Sequence, residues 1–221
     1  MAGVDVLISK ADLTAARAAE APFSPLAEGE VRLRVELLAL TANTVTYAVA
    51  GDSFGYWKFF PAPEGYGKTP AWGFGVVEEC RADGVAVGER VYGYFPVASH
   101  LTIQPGKMDA SGFADMAAHR QGLSPIYNRY QRVAADPGYR PEDEALIAAF
   151  RPLFTTAFLL NAMHAKANLF GAEQAILSSA SSKTAYALGY LMKQAGVATI
   201  GLTSPGNRAF VEGLGVFSQV C

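Results

Sequence analysis

The sequence predicts a chain of mixed class, α/β plus β: a small β-barrel followed by half of a doubly wound α/β sheet. Three observations carry this prediction. Short β-prone runs punctuated by glycine and proline recur from Gly29 to Met108. A strand–helix–strand–helix–strand order fills Ala175 to Val220. The chain has 221 residues, 51% hydrophobic and 17% charged, enough to bury a core in one large or two small domains at about 100–200 residues each.

The barrel elements come first. Val31-Arg32-Leu33-Arg34-Val35-Glu36-Leu37 alternates apolar and charged with period two, the mark of a strand with one wet face. Gly75 to Cys80 is a second strand, ended by the Asp83-Gly84 turn. Val87 to Phe95 reads as a turn leading into a third. His100 to Gln104 alternates and stops at Pro105. Between them, Gly51 to Gly73 holds Phe54, Tyr56, Trp57, Phe59, Phe60, Tyr66 and Trp72 among three prolines, a long loop folded on its own aromatics. Such a loop either lines a pocket or seals the barrel.

Composition shifts over Ser111 to Lys166. Pro141-Glu142-Asp143-Glu144 opens a helix with proline and acids in its first turn, and Phe154 to Lys166 forms another helical run. The expected organisation is a barrel domain over 1–110, a helical linker over 111–170 and a partial dinucleotide domain over 171–221. Tyr127, Asn128, Arg129 and Tyr130 offer polar tips to a ligand, but the segment reads as a solvated linker.

The last segment is the most informative. Ala175-Ile176-Leu177 is a buried strand ending in the polar turn Ser178 to Ser182. Ala185, Leu188, Leu191 and Met192 form one helical stripe, closed by Gly196. Val197 to Leu202 is the next strand. Ser204 and Pro205 open a second helix, and Val216 to Val220 reads as a third strand. This is the mononucleotide-binding half of a doubly wound sheet, in which the turn after the first strand receives a pyrophosphate.

Charge and composition exclude other classes. Eighteen basic against twenty acidic residues give a net charge of −2, so no basic field for nucleic acid exists. Cys80 and Cys221 cannot build a disulfide framework or a four-cysteine zinc site. His100, His119 and His164 lack ligand spacing, so no metal is expected. No uninterrupted apolar run reaches the roughly 18 residues of a membrane span. The expectation is a cytoplasmic protein acting on a small molecule, without membrane or nucleic-acid partner.

The strands Gly29 to Val35, Gly75 to Glu78 and Val87 to Gly93, with Asn43-Thr44-Val45-Thr46-Tyr47 between them and the β-α-β-α-β order of Ala175 to Val220, resemble the medium-chain dehydrogenase/reductase superfamily. The resemblance is to its zinc-independent quinone-reductase-like branch, and within it to an uncharacterised group known as a domain of unknown function. It implies a chaperonin-10-like barrel and a Rossmann cofactor domain. It also implies hydride transfer from NADPH to a quinone, enone or other carbonyl. Asn43 and Tyr47 match the barrel loop that faces the nicotinamide and would serve the substrate oxygen. A turn asparagine and a packed tyrosine is the competing reading.

The family's glycine-rich turn falls on Ala180-Ser181-Ser182-Lys183-Thr184-Ala185, with serine and alanine in place of its second and third glycines. Ser179 to Thr184 are the expected pyrophosphate-binding residues, with Lys183 adding charge. Beyond the second strand no acid is available for a ribose 2′-hydroxyl. Thr203, Ser204, Asn207 and Arg208 instead suit the 2′-phosphate of NADP. Ser182-Lys183-Thr184 also ends like a triphosphatase P-loop, but Leu177 and Ser182 occupy both glycine positions of that motif.

Only three strands of a six-stranded dinucleotide domain are present. The expectation is a truncated chain, or one completed by a partner or by a swapped homodimer. The alternative function is a non-catalytic binding module derived from the same fold.

Overall fold

The computed structural model describes residues 2–221. They form two compact units, the first ending at Ala149 and the second spanning Phe150–Cys221. The first opens with a hairpin of β1 (Ala2–Ser9) and β2 (Ala16–Pro22). β3 (Val31–Ala39) follows, then helix α1 (Ala42–Val49), the two-residue β4 (Tyr66–Gly67), β5 (Pro70–Cys80), β6 (Arg90–Pro96), β7 (His100–Ile103), β8 (Pro105–Asp109), β9 (Gly112–Asp115) and β10 (Arg129–Arg132). β3, β5 to β10 make one seven-stranded sheet in the order β7-β3-β5-β6-β10-β9-β8, and β2-β1-β4 make a second.

The barrel core is Val31, Leu33, Val77, Val91, Phe95, Ile103, Phe113 and Tyr130. These are inward positions of successive strands, as the period-two pattern requires. Arg32 departs from the expected wet face. It is 7% exposed, packed over the Phe23 ring, and bonded to Glu79 and the Ser24 carbonyl. A guanidinium is buried here because its flat face covers a ring while its N–H groups are satisfied at the edge.

The expected helical linker over 111–170 is not one element. β9 and β10 join the barrel sheet and supply Phe113 and Tyr130 to its core, so this stretch belongs with the first unit. Two expected helices merge into one, α2 (Glu144–Lys166), which runs through Pro152. The division between the units falls inside it. Pro141–Lys166 is long and apolar enough, by length and composition alone, to cross a membrane, although its polar residues leave no uninterrupted apolar run.

The second unit continues with β11 (Gln174–Leu177), α3 (Lys183–Gln194), β12 (Ala198–Gly201), α4 (Arg208–Gly213) and β13 (Gln219–Val220). The three strands are parallel in the order β11-β12-β13. Ala187, Leu188 and Met192 of α3 pack against Ala157 of α2. The third strand is shorter than expected. Gly215 takes φ +62°, and Phe217 turns its ring onto Gly189 and Gly201 instead of extending the ladder.

Candidate functional site

In the first unit, the segment expected as a barrel loop is helical. Thr41 caps α1: its hydroxyl accepts from the Asn43 amide at 3.3 Å, and the Thr44 hydroxyl accepts from the Thr41 amide at 3.1 Å. This reciprocal cap fixes where the helix starts. It puts Asn43 and Tyr47 one turn apart on one face. Tyr47 is 8% exposed, and Trp72, Tyr94 and Asn43 lie beside its hydroxyl. Burial pushes its phenol upward, only partly offset by these neighbours, so it stays protonated and able to donate.

The aromatic loop folds on itself. Gly51 and Gly67 close on the two sides of Trp57, where any Cβ would meet the indole within 2.0 and 2.3 Å. Phe59 and Phe60 are buried with Tyr47 and Tyr94, and half-buried Tyr56, Trp72 and Tyr127 complete the cluster. Tyr127 is therefore not a solvated linker residue. Its ring lies 4.7 Å from that of Tyr94, and burial pushes its phenol up. Tyr130 is fully buried, donating to the Tyr94 carbonyl at 2.9 Å. Asn128 is buried and accepts from Arg120, while Arg129 pairs with Asp109.

In the second unit, the turn after β11 is held by its backbone. The Ala180 amide donates to the Leu202 carbonyl at 2.9 Å and the Ser182 amide to the Ser179 carbonyl at 2.8 Å. Ser179 takes φ +49°, a left-handed conformation that glycine would adopt without strain. Ser182 caps α3, its hydroxyl accepting from the Ala185 amide at 3.3 Å. One first-turn donor is thus already taken. The Lys183 and Thr184 amides have no partner within the helix and carry its positive end. The Lys183 ammonium sits 5.6 Å over the Phe150 ring.

The turn after β12 meets this one. The Asn207 side-chain Nδ2 donates to the Ser204 hydroxyl at 3.2 Å and to the Ser181 hydroxyl at 3.4 Å. Ala180 and Gly201 approach so closely that a Cβ on Gly201 would lie 3.1 Å from that of Ala180. The Thr203 hydroxyl is buried without a hydrogen-bond partner among the described residues. Arg208 is exposed and paired with Glu212 one turn on, at 2.8 Å. The chain therefore brings Ser181, Ser204 and Asn207 together at the C-terminal ends of two parallel strands, beside the Thr203 hydroxyl. Hydroxyls, an amide and helix-start N–H groups, with no carboxylate among them, suit a phosphate. Glu212 is paired with Arg208.

Sequence reasoning passed over Tyr94, and assigned Trp72 only to a pocket-shaping loop. Both lie in strands as ordinary aromatics, and only the register that sets Trp72 opposite Tyr94 brings them to Tyr47. Among the described residues, no group of three or more His, Cys, Asp or Glu is placed to hold a metal ion.

A family model described as a protein of unknown function, DUF2855, matches residues 38–221. No curated protein matches the sequence. Among solved structures, a human synaptic vesicle membrane protein VAT-1 homolog-like protein is similar with a TM-score of 0.60 and 15% identity, over 100% of this chain and 61% of that one. The quinone oxidoreductase from Coxiella burnetii gives 0.57 and 15%, over 100% and 62%. A mycobacterial protein in complex with NADPH gives 0.56 and 14%, over 99% and 57%. The fold is that of the medium-chain dehydrogenase/reductases, and the chain spans about three-fifths of the length of these structures.

Proposed function

From the premise that the chain belongs to the DUF2855 family and has the medium-chain reductase fold, we propose that it serves NADPH-dependent hydride transfer to a small carbonyl, enone or quinone in the cytoplasm. The observation that carries this reading is the meeting of two turns at the ends of β11 and β12, where Asn207 bridges Ser181 and Ser204. In doubly wound sheets this is where a dinucleotide lies. The neighbour solved with NADPH adds support.

The nicotinamide supplies the hydride when bound. The chain's own residues do the rest. The Lys183 and Thr184 amides, the Ser181 hydroxyl and the Lys183 ammonium hold the pyrophosphate. Thr203, Ser204, Asn207 and Arg208 hold the ribose and its 2′-phosphate, with arginine supplying charge-assisted bonds. Asn43 and Tyr47 donate to the substrate oxygen as it gains negative charge. The resulting enolate or hydroquinone anion takes its proton from solvent, so no dedicated acid is needed.

The test is a fluorescence titration with NADPH and NADH. A saturable change with NADPH, about tenfold weaker for NADH and for Arg208→Ala, is expected from loss of one charge-assisted contact. No change at millimolar NADPH overturns the reading. It leaves the second one, a non-catalytic binding module, which Ser182 and Ala185 in the family's glycine positions favour. Selective binding of ATP with magnesium would point to Lys183 in the P-loop role instead.

A further inference from the structure

A second cluster of reactive groups stands in the first unit, on a cavity of about 580 Å³ that neither Asn43, Tyr47 nor any residue of the second unit lines. Ser99 and His100, where β7 begins, both line it. The Ser99 Oγ lies 2.9 Å from Nδ1 of His100, and Nε2 of the same ring lies 3.0 Å from Oε2 of Glu78 on β5. The His100 ring stands edge-on to Phe23, with centroids 4.6 Å apart, which holds its plane. Gly3 on β1 meets the pair with bare backbone. A Cβ there would stand 2.6 Å from the Ser99 Oγ and 3.1 Å from the His100 Nδ1. Its φ is not left-handed, so this position needs glycine for space and not for conformation.

These contacts set a direction for a proton. A carboxylate accepts, so Glu78 takes the Nε2–H and leaves Nδ1 with a lone pair. The Ser99 hydroxyl accepts from the Val4 amide at 2.7 Å and has its one proton free for Nδ1. Nucleophile, base and orienting acid thus stand in a chain, the arrangement that activates a serine. The two ring nitrogens exchange the roles they hold in serine proteases, and the proton path is the same. Asp5 lies on the Gly3 face of β1, two residues on, and pairs with the Lys68 ammonium at 2.6 Å. Lys68 has further N–H groups and lines the same cavity as the serine. Leu26, Phe60, Pro61 and Pro96 give that cavity its apolar wall.

We propose that Ser99, His100 and Glu78 form an acyl-transfer site, at which Ser99 attacks a small ester with an apolar acyl group. The proposal is independent of the reductase reading. The Ser99 Oγ bonds to the ester carbonyl carbon as its proton passes to the His100 Nδ1. The ester C–O bond then breaks, and the leaving alcohol takes that proton. Water attacks the acyl-serine by the same route, releasing the carboxylic acid and restoring Ser99. Lys68 supplies positive charge for the carbonyl oxygen as it becomes negative.

The experiment treats the whole chain, without cofactor, with diisopropyl fluorophosphate and maps the modified residue by peptide mass spectrometry. In parallel, hydrolysis of p-nitrophenyl butyrate is followed by release of p-nitrophenolate. Ser99 is expected to take up one phosphoryl group, with fluoride leaving, and the wild-type chain to turn over the ester. Ser99→Ala should return hydrolysis to the rate in buffer. His100→Gln should lower kcat by about a hundredfold or more, the scale of a general base. Glu78→Gln, which reaches the serine only through the histidine, should lower kcat about tenfold with KM unchanged, as a positioning residue does. No label on Ser99, or hydrolysis that survives Ser99→Ala, overturns the proposal. So does a label that His100→Gln takes up as fast as wild type. Thermal melts establish that each variant is folded. Ser99→Ala removes the acceptor of the Val4 amide, and should that variant unfold, the wild-type label and His100→Gln decide.

Discussion

At the scale of single residues, the second unit carries two local costs that its sequence could shed. Ser179 sits at φ +49° with its side chain exposed. A left-handed residue with a Cβ costs roughly 1–2 kcal/mol, part of which glycine gives back as unfolded-state entropy. Ser179→Gly is therefore expected to stabilise by about 0.5–1 kcal/mol, read as a rise of about 2 °C in Tm. An unchanged or lower Tm would show that the turn holds serine without strain. The second cost is electrostatic. Glu212 engages Arg208 at 2.8 Å with both side chains more than half accessible or nearly so, 59% and 50%. An exposed pair of this kind is screened by solvent and only weakly held. Glu212→Gln should release the guanidinium for a 2′-phosphate and tighten NADPH by about twofold, leaving NADH unchanged. Equal effects on both cofactors would remove Arg208 from the phosphate site.

At the scale of elements, one arginine ties the start of α2 to the barrel. Arg90 on β6 donates to Glu144 at 2.6 Å and also pairs with Glu36 on β3, while the Tyr139 hydroxyl donates to Glu144 at 2.6 Å. Hydrogen bonding from Arg90 holds both carboxyls below the usual glutamate range, against the opposing pull of burial. A carboxyl whose folded pKa is depressed adds stability above its unfolded value, near 4.3, and loses it as the pH falls through the folded value. Glu144→Gln should cost about 2 kcal/mol at pH 7, the scale of a charge-assisted bond. Its deficit should shrink as urea melts are run from pH 5 down to pH 3. A deficit constant over that range would mean that the carboxylate charge does not stabilise the contact.

These elements also show how far the sequence can be read. β3 and the helix stripe of α3 are legible because their apolar positions recur with the period of the element. β2, Ala16-Arg17-Ala18-Ala19-Glu20-Ala21-Pro22, is alanine-rich and has no strand propensity of its own. It is a strand because β1 pairs with it along its length. β9 and β10 have four residues each, too few for a period to emerge, and their place in the barrel comes from long-range pairing. α1 carried a readable signal, the Thr41-x-x-Thr44 cap, obscured by the β-branched run Thr44-Val45-Thr46. Asn43 and Tyr47 were found by resemblance. Their partners Trp72 and Tyr94 become visible only once the strand register is known.

At the scale of the whole molecule, the second unit of this 221-residue chain presents exposed apolar side chains on an edge strand and on a helix. β11 lies at the edge of its parallel sheet, and its Ile176 is 62% exposed. On α2, Phe154 and Phe158 stand one turn apart, as do Leu159 and Met163, and all four are exposed. Parallel sheets are normally buried on both faces and their edges covered, because an open edge of unpaired N–H and C=O groups recruits another strand. Burying one such side chain is worth about 1.5–3 kcal/mol, so several together can overcome the entropy of association. The chain is expected to self-associate, with a second copy covering this surface. Sedimentation velocity over a rising concentration series should show a dimer or larger species. Ile176→Lys and Phe158→Glu, each placing a charge where apolar surface would be covered, should return it to monomer without lowering Tm. A wild-type chain that stays monomeric at high concentration would show that this edge and helix face are tolerated open, and the homodimer would have to be abandoned.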